Sequence, residues 1–347
     1  MDRDDLLIGL GVAATALSAA EIFLQMQDRA ESKTKFHRER KTMERPWERF
    51  DPYSGWEPLP GFVSSDVIIN SHGFRGQDMS RGKVARIMCL GDGTTFGPPG
   101  EKNTYPHALQ TTLARRRTSR LVEVVNAGVS GHSTCNMLFR LPQLLRFRPG
   151  IVIVFAGWND LNNEAPGCYR DNRRRFSSYW HYLDGKNIYC HLAAKLRESA
   201  GLKNRKPLPV SYSLDEFVPF NFEYNLRKII GGIRRKSAHP VLLTLPKLIP
   251  GSLSRLSAAV KSRANLPDFI EDGDLKGFLK LYRAYDAIIR QVAEETGCTL
   301  FDAARYFERL KEPRGSLFED TRHLTAEGSK ALGKFVANSL IEKELVT

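Results

Sequence analysis

Five short runs of apolar and β-branched residues, spaced by longer amphipathic stretches, constrain the fold of this 347-residue chain most strongly. Strands that are apolar along almost their whole length are typical of a parallel sheet buried on both faces, with helical stretches as crossovers. The pattern therefore predicts a three-layer α/β/α domain with its active groups at the carboxyl ends of the strands. The predicted strands are Val84–Leu90, Leu121–Val125, Ile151–Phe155, Val241–Leu245 and Cys298–Phe301, and the predicted helices are Tyr105–Arg117, Asn225–Arg235, Leu275–Glu295 and Ala326–Glu342.

The composition excludes several classes of protein. Apolar residues make up 41% of the chain and charged residues 26%, which rules out a disordered, collagen-like or multi-span membrane protein. The five cysteines are scattered without metal-ligand spacing and are too few for a disulfide scaffold. We therefore expect neither a metal nor a cofactor.

The net charge of +13 is the one unusual figure of the composition. Residues 1–50 hold nine Lys or Arg and nine Asp or Glu, so the whole excess lies in residues 51–347. Arginine runs at 115–117 and 173–175 could contact phosphates, but no nucleic-acid-binding motif accompanies them. The charge therefore favours an anionic substrate or surface, and we expect no nucleic-acid partner.

The N-terminal segment is apolar and carries no charge from residue 6 to residue 20, and its apolar character extends to residue 26. About 20 mostly apolar residues span a bilayer, so residues 1–26 are predicted to form a membrane anchor with Glu21 at the interface. The acidic start of the chain argues against a cleaved signal peptide, and the other alternative is a helix packed on the protein's own body. Residues 27–64 are interpreted as a charged stalk and lead-in.

Residues 65–347 are predicted to form the main domain, with an insertion. Seven Lys or Arg in residues 28–45, against Arg3 alone before the anchor, place this domain in the cytosol by the positive-inside rule. Within it, residues 164–222 break the alternation of strands and helices and are rich in aromatic and arginine residues. We interpret them as an insertion that covers the strand ends, the alternative being an amphipathic helical excursion with a solvated basic face.

Four short polar patterns follow the predicted strands or precede the last helix. They are residues 91–97 after the first strand, 126–131 after the second, 157–160 after the third, and 320–323 before the helix. An Asp three residues before a His can accept a hydrogen bond from the imidazole and fix its tautomer. Glycine N–H groups and an Asn amide are the donors that a tetrahedral oxyanion needs. Together the patterns indicate a catalytic site at one edge of the sheet.

This arrangement resembles the SGNH hydrolase superfamily, also called the GDSL lipase/esterase family, over about residues 65–340. Residues 69–76 are similar to the lead-in of its membrane-anchored bacterial members. The resemblance implies a flavodoxin-like α/β/α sandwich with a five-stranded parallel sheet. It also implies hydrolysis or acyl transfer on acyl or acetyl esters outside the cytoplasm, which is opposite to the side that the charge rule gives.

The resemblance also implies a role for each matching residue. In this family an Asp and a His complete the catalytic triad, which here gives Asp320 and His323. Gly128 and Asn159 match the residues that join the backbone N–H of the nucleophile as the oxyanion hole. Asp92 lies beside the nucleophile and is expected to brace its loop by hydrogen bonds.

The nucleophile of the family is a serine, and this chain has Gly93 at that position. Without a hydroxyl oxygen there is no acyl-enzyme intermediate. Three interpretations follow: a variant hydrolase that is inactive or strongly impaired, a natural pseudoenzyme that binds an acylated lipid or glycan, or direct hydrolysis by water with His323 as general base. We do not expect a neighbouring hydroxyl group to replace the serine; the candidates are Thr94, Thr95, Ser130 and Ser133.

A dinucleotide-binding turn is the weaker alternative, suggested by the glycines at 91, 93 and 97. Their spacing differs from the dinucleotide pattern by one residue, and Asp92 would place a carboxylate where a pyrophosphate binds. The expected partners are therefore a small-molecule, glycan or lipid ester as substrate, and a membrane contacted through residues 6–26.

Overall fold

The described part of the chain forms two compact units. The computed structural model describes residues 3–43, 45–80, 82, 84–116, 121–165, 168–170, 172–174, 192, 195, 196, 199, 214, 217–251, 253, 257–267, 269–271 and 273–346. The units are Met1–Trp56 with Arg173–Pro209, and Glu57–Asn172 with Val210–Thr347.

The first unit contains one long helix, α1 (Arg3–Met43). Two short strands, β1 (Glu48–Asp51) and β2 (Gly55–Pro58), follow it and pair as a two-stranded sheet. One face of α1 packs within this unit, where Phe36 is buried and its ring centroid lies 5.9 Å from that of Phe50. The helix therefore runs without a break from the predicted anchor into the predicted stalk, and the stalk part has a buried face.

Within the described residues, α1 alone is long and apolar enough to cross a membrane, over Leu7–Glu39. Its length and composition make it a candidate membrane anchor or signal sequence. Glu21, expected at the membrane interface, is instead buried and accepts hydrogen bonds from the Leu192 backbone N–H at 2.8 Å and the Gln25 amide at 3.0 Å. The exposed large apolar side chains of this helix are Leu7, Ile8, Leu10, Val12, Leu17, Ile22, Phe23 and Met26.

The second unit is built on a five-stranded parallel sheet, as predicted. Its strands and an antiparallel pair beside them are β3 (Ala85–Gly91), β4 (Val122–Gly128), β5 (Ile151–Phe155), β6 (Glu164–Ala165), β7 (Cys168–Tyr169), β8 (His239–Leu243) and β9 (Thr299–Phe301). The sheet order is β4-β3-β5-β8-β9, and β6 pairs with β7. The five predicted strands are confirmed, β5 with the predicted ends and the other four with shifted ends. The largest shift is in β4, which continues to Gly128 because Asn126 and Ala127 still pair with β3.

The four predicted helices are present among a larger set, one with the predicted ends (Ala326–Glu342) and three with altered ends. The helices are α2 (Gly93–Phe96), α3 (Tyr105–Arg115), α4 (Thr134–Leu145), α5 (Trp158–Asn163), α6 (Phe220–Arg234), α7 (Ala258–Lys261), α8 (Leu275–Thr296), α9 (Ala303–Arg309), α10 (Arg314–Leu317) and α11 (Ala326–Glu342). The long helix α4 was not predicted. It contains Pro142, which lacks the backbone N–H that a helix interior uses.

The helices lie on both faces of the sheet. The connection from β3 to β4 runs toward one edge of the sheet, and the later connections to β5, β8 and β9 run toward the opposite edge. Because such crossovers are right-handed, α3 lies on one face and α4, α6 and α8 on the other. Contacts agree, since α3 packs on α11, while α6 packs on both α4 and α8. Every residue of the central strand β5 is buried. This is the three-layer α/β/α sandwich expected from the sequence.

Most of the predicted insertion, residues 164–222, lies outside the described residues. Its described ends are the paired strands β6 and β7, a 3-10 turn at Asn172–Arg174 and the first turn of α6.

Candidate active site

The first polar pattern forms a strand-to-helix turn at the carboxyl end of β3. Gly91 ends the strand, and a Cβ there would stand 2.6 Å from the carbonyl oxygen of Phe155 and overlap the Thr95 side chain. The turn therefore needs glycine for packing. Asp92 caps α2, because its Oδ1 accepts a hydrogen bond from the Thr94 N–H at 2.9 Å. Gly93 is the first residue of this helix, and as such its own N–H has no partner within the helix.

Asp92 lies beneath the turn and is 2% exposed. Burial raises the pKa of its carboxyl group, and the hydrogen bond from Thr94 and the charges of Arg322 and His323 oppose the rise. Its Oδ2 lies 3.5 Å from the Asn159 amide nitrogen. These contacts connect Asp92 to the first turn of α2 and to the Asn159 side chain.

Gly93 faces an open space that a side chain can occupy. A Cβ at this position would stand 3.4 Å from His323 Nε2 and 3.7 Å from Ser130 Cα. Both separations allow ordinary packing, so the glycine is not required by crowding. The direction in which a side chain would point leads to the imidazole nitrogen.

Asp320 and His323 form a hydrogen-bonded pair in the turn before α11. His323 Nδ1 lies 2.7 Å from Asp320 Oδ2, and Asp320 Oδ1 accepts from the backbone N–H groups of Arg322 at 2.9 Å and His323 at 2.8 Å. Burial alone would raise the pKa of Asp320, but the hydrogen bonds from His323 and Arg322 outweigh it and hold the pKa below its ordinary value. An ionised Asp320 can only accept, so Nδ1 carries the proton and Nε2 of a neutral His323 is left as a base toward Gly93.

The backbone N–H of Gly128, expected in the oxyanion hole, points to another acceptor. Gly128 is buried under α2, where a Cβ would overlap the backbone of Phe96 and stand 2.7 Å from the Thr95 carbonyl carbon. Its N–H donates to Asn126 Oδ1 at 3.0 Å and is therefore already engaged. The reason for this glycine is the close approach of α2 to β4.

Gly131, three residues further on, is the accessible glycine of the second pattern. It is half-buried and has a positive φ of 79°. It directly follows Ser130, which together with His323 lies next to the open space at Gly93. Within the described part of the chain, no acceptor is found for its N–H. Residues 126–131 hold two glycines, so the sequence contained both candidates for this role. Their spacing alone does not show which of the two faces the site.

Asn159, in the first turn of α5, brings a side-chain amide to the same place. Its Nδ2 donates to the His132 carbonyl oxygen at 2.9 Å and lies 3.5 Å from Asp92 Oδ2. The second contact is long for an N–H···O hydrogen bond. One amide hydrogen is therefore only weakly engaged.

The neighbouring hydroxyl groups are not arranged as nucleophiles. Thr94 and Thr95 are buried, at 3% and 0% exposure. Ser133 is also buried and takes part in the capping box of α4 with Asn136. Ser130 is half-buried beside the open space and already takes part in other contacts.

The parallel sheet, with an Asp–His pair and amide donors at its carboxyl edge, defines the class as an α/β protein of hydrolase type. The chain belongs to the GDSL-like lipase/acylhydrolase family, whose family model matches residues 89–331. That span covers more than half of the chain and includes the four polar patterns. The resemblance stated from the sequence is therefore confirmed.

Solved structures with a similar fold are distant in sequence. A carbohydrate acetylesterase from Sinorhizobium meliloti is 15% identical, with a TM-score of 0.45, covering 75% of this chain and 99% of its own. A lipase/acylhydrolase from Enterococcus faecalis is 15% identical, with a TM-score of 0.45 and coverages of 75% and 97%. An acetylxylan esterase from Geobacillus stearothermophilus is 16% identical, with a TM-score of 0.45 and coverages of 76% and 96%. No curated protein matches the chain.

Proposed function

We propose that the chain binds acyl esters at the carboxyl edge of the sheet and hydrolyses them slowly, with water as the nucleophile. One observation carries the proposal: the open space at Gly93 lies 3.4 Å from His323 Nε2, measured from an added Cβ. A water molecule in van der Waals contact with the Gly93 Cα on that side would be within reach of a base that Asp320 already orients. The family supplies the reaction class, hydrolysis of an ester bond.

The proposed reaction has two steps and needs no cofactor. In the first, the water oxygen attacks the ester carbonyl carbon while His323 Nε2 takes the proton, which gives a tetrahedral oxyanion. In the second, the bond to the alcohol oxygen breaks and the protonated imidazole returns its proton to that oxygen. The products are a carboxylic acid and an alcohol. Asp320 stabilises the imidazolium between the steps.

The oxyanion is proposed to bind three donors on three elements. These are the backbone N–H of Gly93 at the start of α2, the N–H of Gly131 after β4, and the Asn159 amide on α5. Gly131 replaces Gly128 in this role because the N–H of Gly128 donates to Asn126. One such donor contributes about 2.7–4 kcal/mol to the stability of the transition state.

The proposed activity is low because water lacks the positioning of a covalent nucleophile. Hydrolases whose triad has been removed still exceed the uncatalysed rate by roughly 10³–10⁴-fold, through the oxyanion hole and substrate binding. A pseudoenzyme that binds an acylated lipid or glycan is the second candidate. The missing hydroxyl group at Gly93 is the observation that favours it.

Hydrolysis of p-nitrophenyl acetate by the full chain and by His323→Gln separates the two candidates. We expect measurable turnover by the unaltered chain and a loss of about 10²-fold in His323→Gln, since a general base contributes about 10²–10⁴-fold. The control is His107→Gln, which changes a histidine on α3. Equal turnover by the unaltered chain and His323→Gln would contradict catalysis and favour a binding protein.

A further inference from the structure

A groove between α3 and α11 in the second unit has more cationic than anionic side chains among its lining residues. Its volume is about 580 Å³. Glu327 is the one carboxylate among its lining residues. The permanent cations that line it are Lys102, Arg115, Lys330 and Lys334.

The walls of the groove are held in fixed positions by close helix packing. A Cβ at Gly333 on α11 would stand 2.6 Å from the Ala108 Cβ and 2.6 Å from the Tyr105 carbonyl oxygen, both on α3. Two helices that approach this closely cannot slide without a clash. The two helices that carry most of the cations are therefore held at a fixed separation.

The four cations are available to a ligand. Within the described residues none of them has an ion pair or a hydrogen bond to a carboxylate. Lys330 and Lys334 are one helical turn apart, about 6 Å along α11, and Arg115 lies two turns beyond His107 on α3. Charges repeated along a groove match a chain with repeated negative groups better than they match one small anion.

The two helices that form the groove begin at the same edge of the sheet as the candidate active site. Helix α11 begins at Ala326, three residues after His323, and its cap Thr325 accepts from the Gly328 N–H at 3.1 Å. Helix α3 begins at Tyr105, after the turn that holds Gly93. Both walls therefore begin at the carboxyl edge of the sheet, where the reaction is proposed.

We propose that this groove binds the anionic part of the ester substrate, a carbohydrate chain that carries carboxylate groups. The described lining residues include no Phe, Tyr or Trp, the side chains on which nucleic-acid bases stack. They include Asn103, Thr111 and Thr112, whose amide and hydroxyl groups can bond to sugar hydroxyls. The inference rests on the proposed ester function, because it places the ester bond of the same ligand at His323.

Calorimetric titration of the full chain with a polygalacturonate oligomer tests the binding step. We expect the Kd to rise about tenfold in the double variant Lys330→Gln/Lys334→Gln and to rise further as salt screens the contacts. The matched control is Lys276→Gln/Lys280→Gln, which removes two lysines with the same spacing from α8. Equal Kd values in the two double variants would overturn the proposal. So would equal affinity for a neutral xylan oligomer, or tighter binding of single-stranded RNA.

Turnover in a Gly93→Ser background separates a failure of the groove from a failure of the ester function. We expect the groove double variant to lower kcat/KM about tenfold on O-acetylated polygalacturonate and to leave p-nitrophenyl acetate turnover unchanged. An equal loss on both substrates would overturn the groove proposal while the ester function stands. Salt-sensitive binding of polygalacturonate without turnover of either ester would contradict the ester function and leave the groove as a polyanion-binding site.

Discussion

Two glycines of the site have opposite steric environments. A Cβ at Gly128 would overlap the backbone of α2, whereas a Cβ at Gly93 has its nearest neighbour at 3.4 Å. The first glycine is required by packing and the second is not. The missing side chain at position 93 is therefore a matter of chemistry, and the surrounding structure can accept one.

Alanine substitution at the two positions tests this difference. We expect Gly128→Ala to lower the free energy of unfolding by about 3 kcal/mol, because the atoms it meets belong to backbone that cannot move aside. Gly93→Ala should be neutral or stabilising by up to about 1 kcal/mol, since alanine restricts the unfolded chain at a position with room for a methyl group. Denaturant titration measures both. Similar destabilisation by the two substitutions would contradict the packing described here.

Asp320 is expected to act through the imidazole and not on the substrate. In a Gly93→Ser background, Asp320→Asn should lower kcat by about 10²–10⁴-fold, because the amide no longer fixes the Nδ1–H tautomer of His323. A steady-state assay on p-nitrophenyl acetate measures the loss. His323→Gln in the same background is the comparison. An Asp320→Asn variant with full kcat would show that the pair has no part in the reaction.

The sequence revealed which residue types form the site but not which atoms are free. Asp320 and His323 were identified from a three-residue spacing, and the structure brings them to 2.7 Å. Gly128 and Gly131 could not be distinguished, because the Asn126 side chain that engages the N–H of Gly128 and the α2 backbone that covers this glycine are known only from the structure. That contact depends on side-chain placement, which no local pattern specifies.

At the scale of elements, a buried carboxylate links the site to the helix that follows β4. Asp160 lies next to Asn159 and accepts from the Thr134 backbone N–H at 3.0 Å, at the start of α4. It also accepts from the Thr134 hydroxyl group. Burial raises the pKa of Asp160 to about 7, and the Thr134 hydrogen bonds oppose this rise. The folded protein therefore holds a proton there that the unfolded chain releases.

This raised pKa predicts a stability that falls as pH rises. Between about pH 4 and pH 7 the folded state binds the Asp160 proton more tightly than the unfolded state, so the free energy of unfolding decreases by up to about 1.4 kcal/mol per pH unit. Asp160→Asn should remove that slope. Asp274→Asn is the control, because Asp274 also accepts a hydrogen bond from a backbone N–H in the first turn of a helix, that of Gly277 in α8, but from an exposed position. Chemical unfolding at several pH values measures the slopes, and an unchanged slope in Asp160→Asn would contradict this account.

The periodicity of the chain predicted the elements well and their ends less well. All five strands of the sheet and four helices were identified from apolar patterns. Helix α4 was not, because Pro142 lies inside it and its place in the core depends on tertiary packing. Strand ends shifted where pairing continued through polar residues such as Asn126.

At the scale of the whole molecule, helix α1 is a candidate membrane anchor. We expect the full chain to fractionate with membranes and to resist carbonate extraction. The double variant Val12→Arg/Leu17→Arg should release it, because each arginine costs about 2.5–3.5 kcal/mol near the centre of a span. The control is Val63→Arg/Leu121→Arg, which changes two exposed apolar residues of the second unit. Recovery of the unaltered chain in the soluble fraction would contradict the anchor.

The net charge of +13 is also interpreted at the scale of the whole molecule. The excess lies beyond residue 50, and four of its cations line one groove whose walls start at the carboxyl edge of the sheet. The sequence could locate the excess but not this clustering, because Lys102 and Lys334 come together only when α3 packs on α11.

We propose that the site lacks only the nucleophile, at position 93. Labelling with a fluorophosphonate ester tests it directly, because an activated serine oxygen forms a bond to phosphorus, fluoride leaves, and the hydroxyl proton passes to the base. Mass spectrometry should show one adduct on Gly93→Ser, located at residue 93. The unaltered chain, Gly93→Ala and Gly93→Ser/His323→Ala should remain unlabelled. A folded Gly93→Ser that takes no label, or takes it equally without His323, would contradict the account.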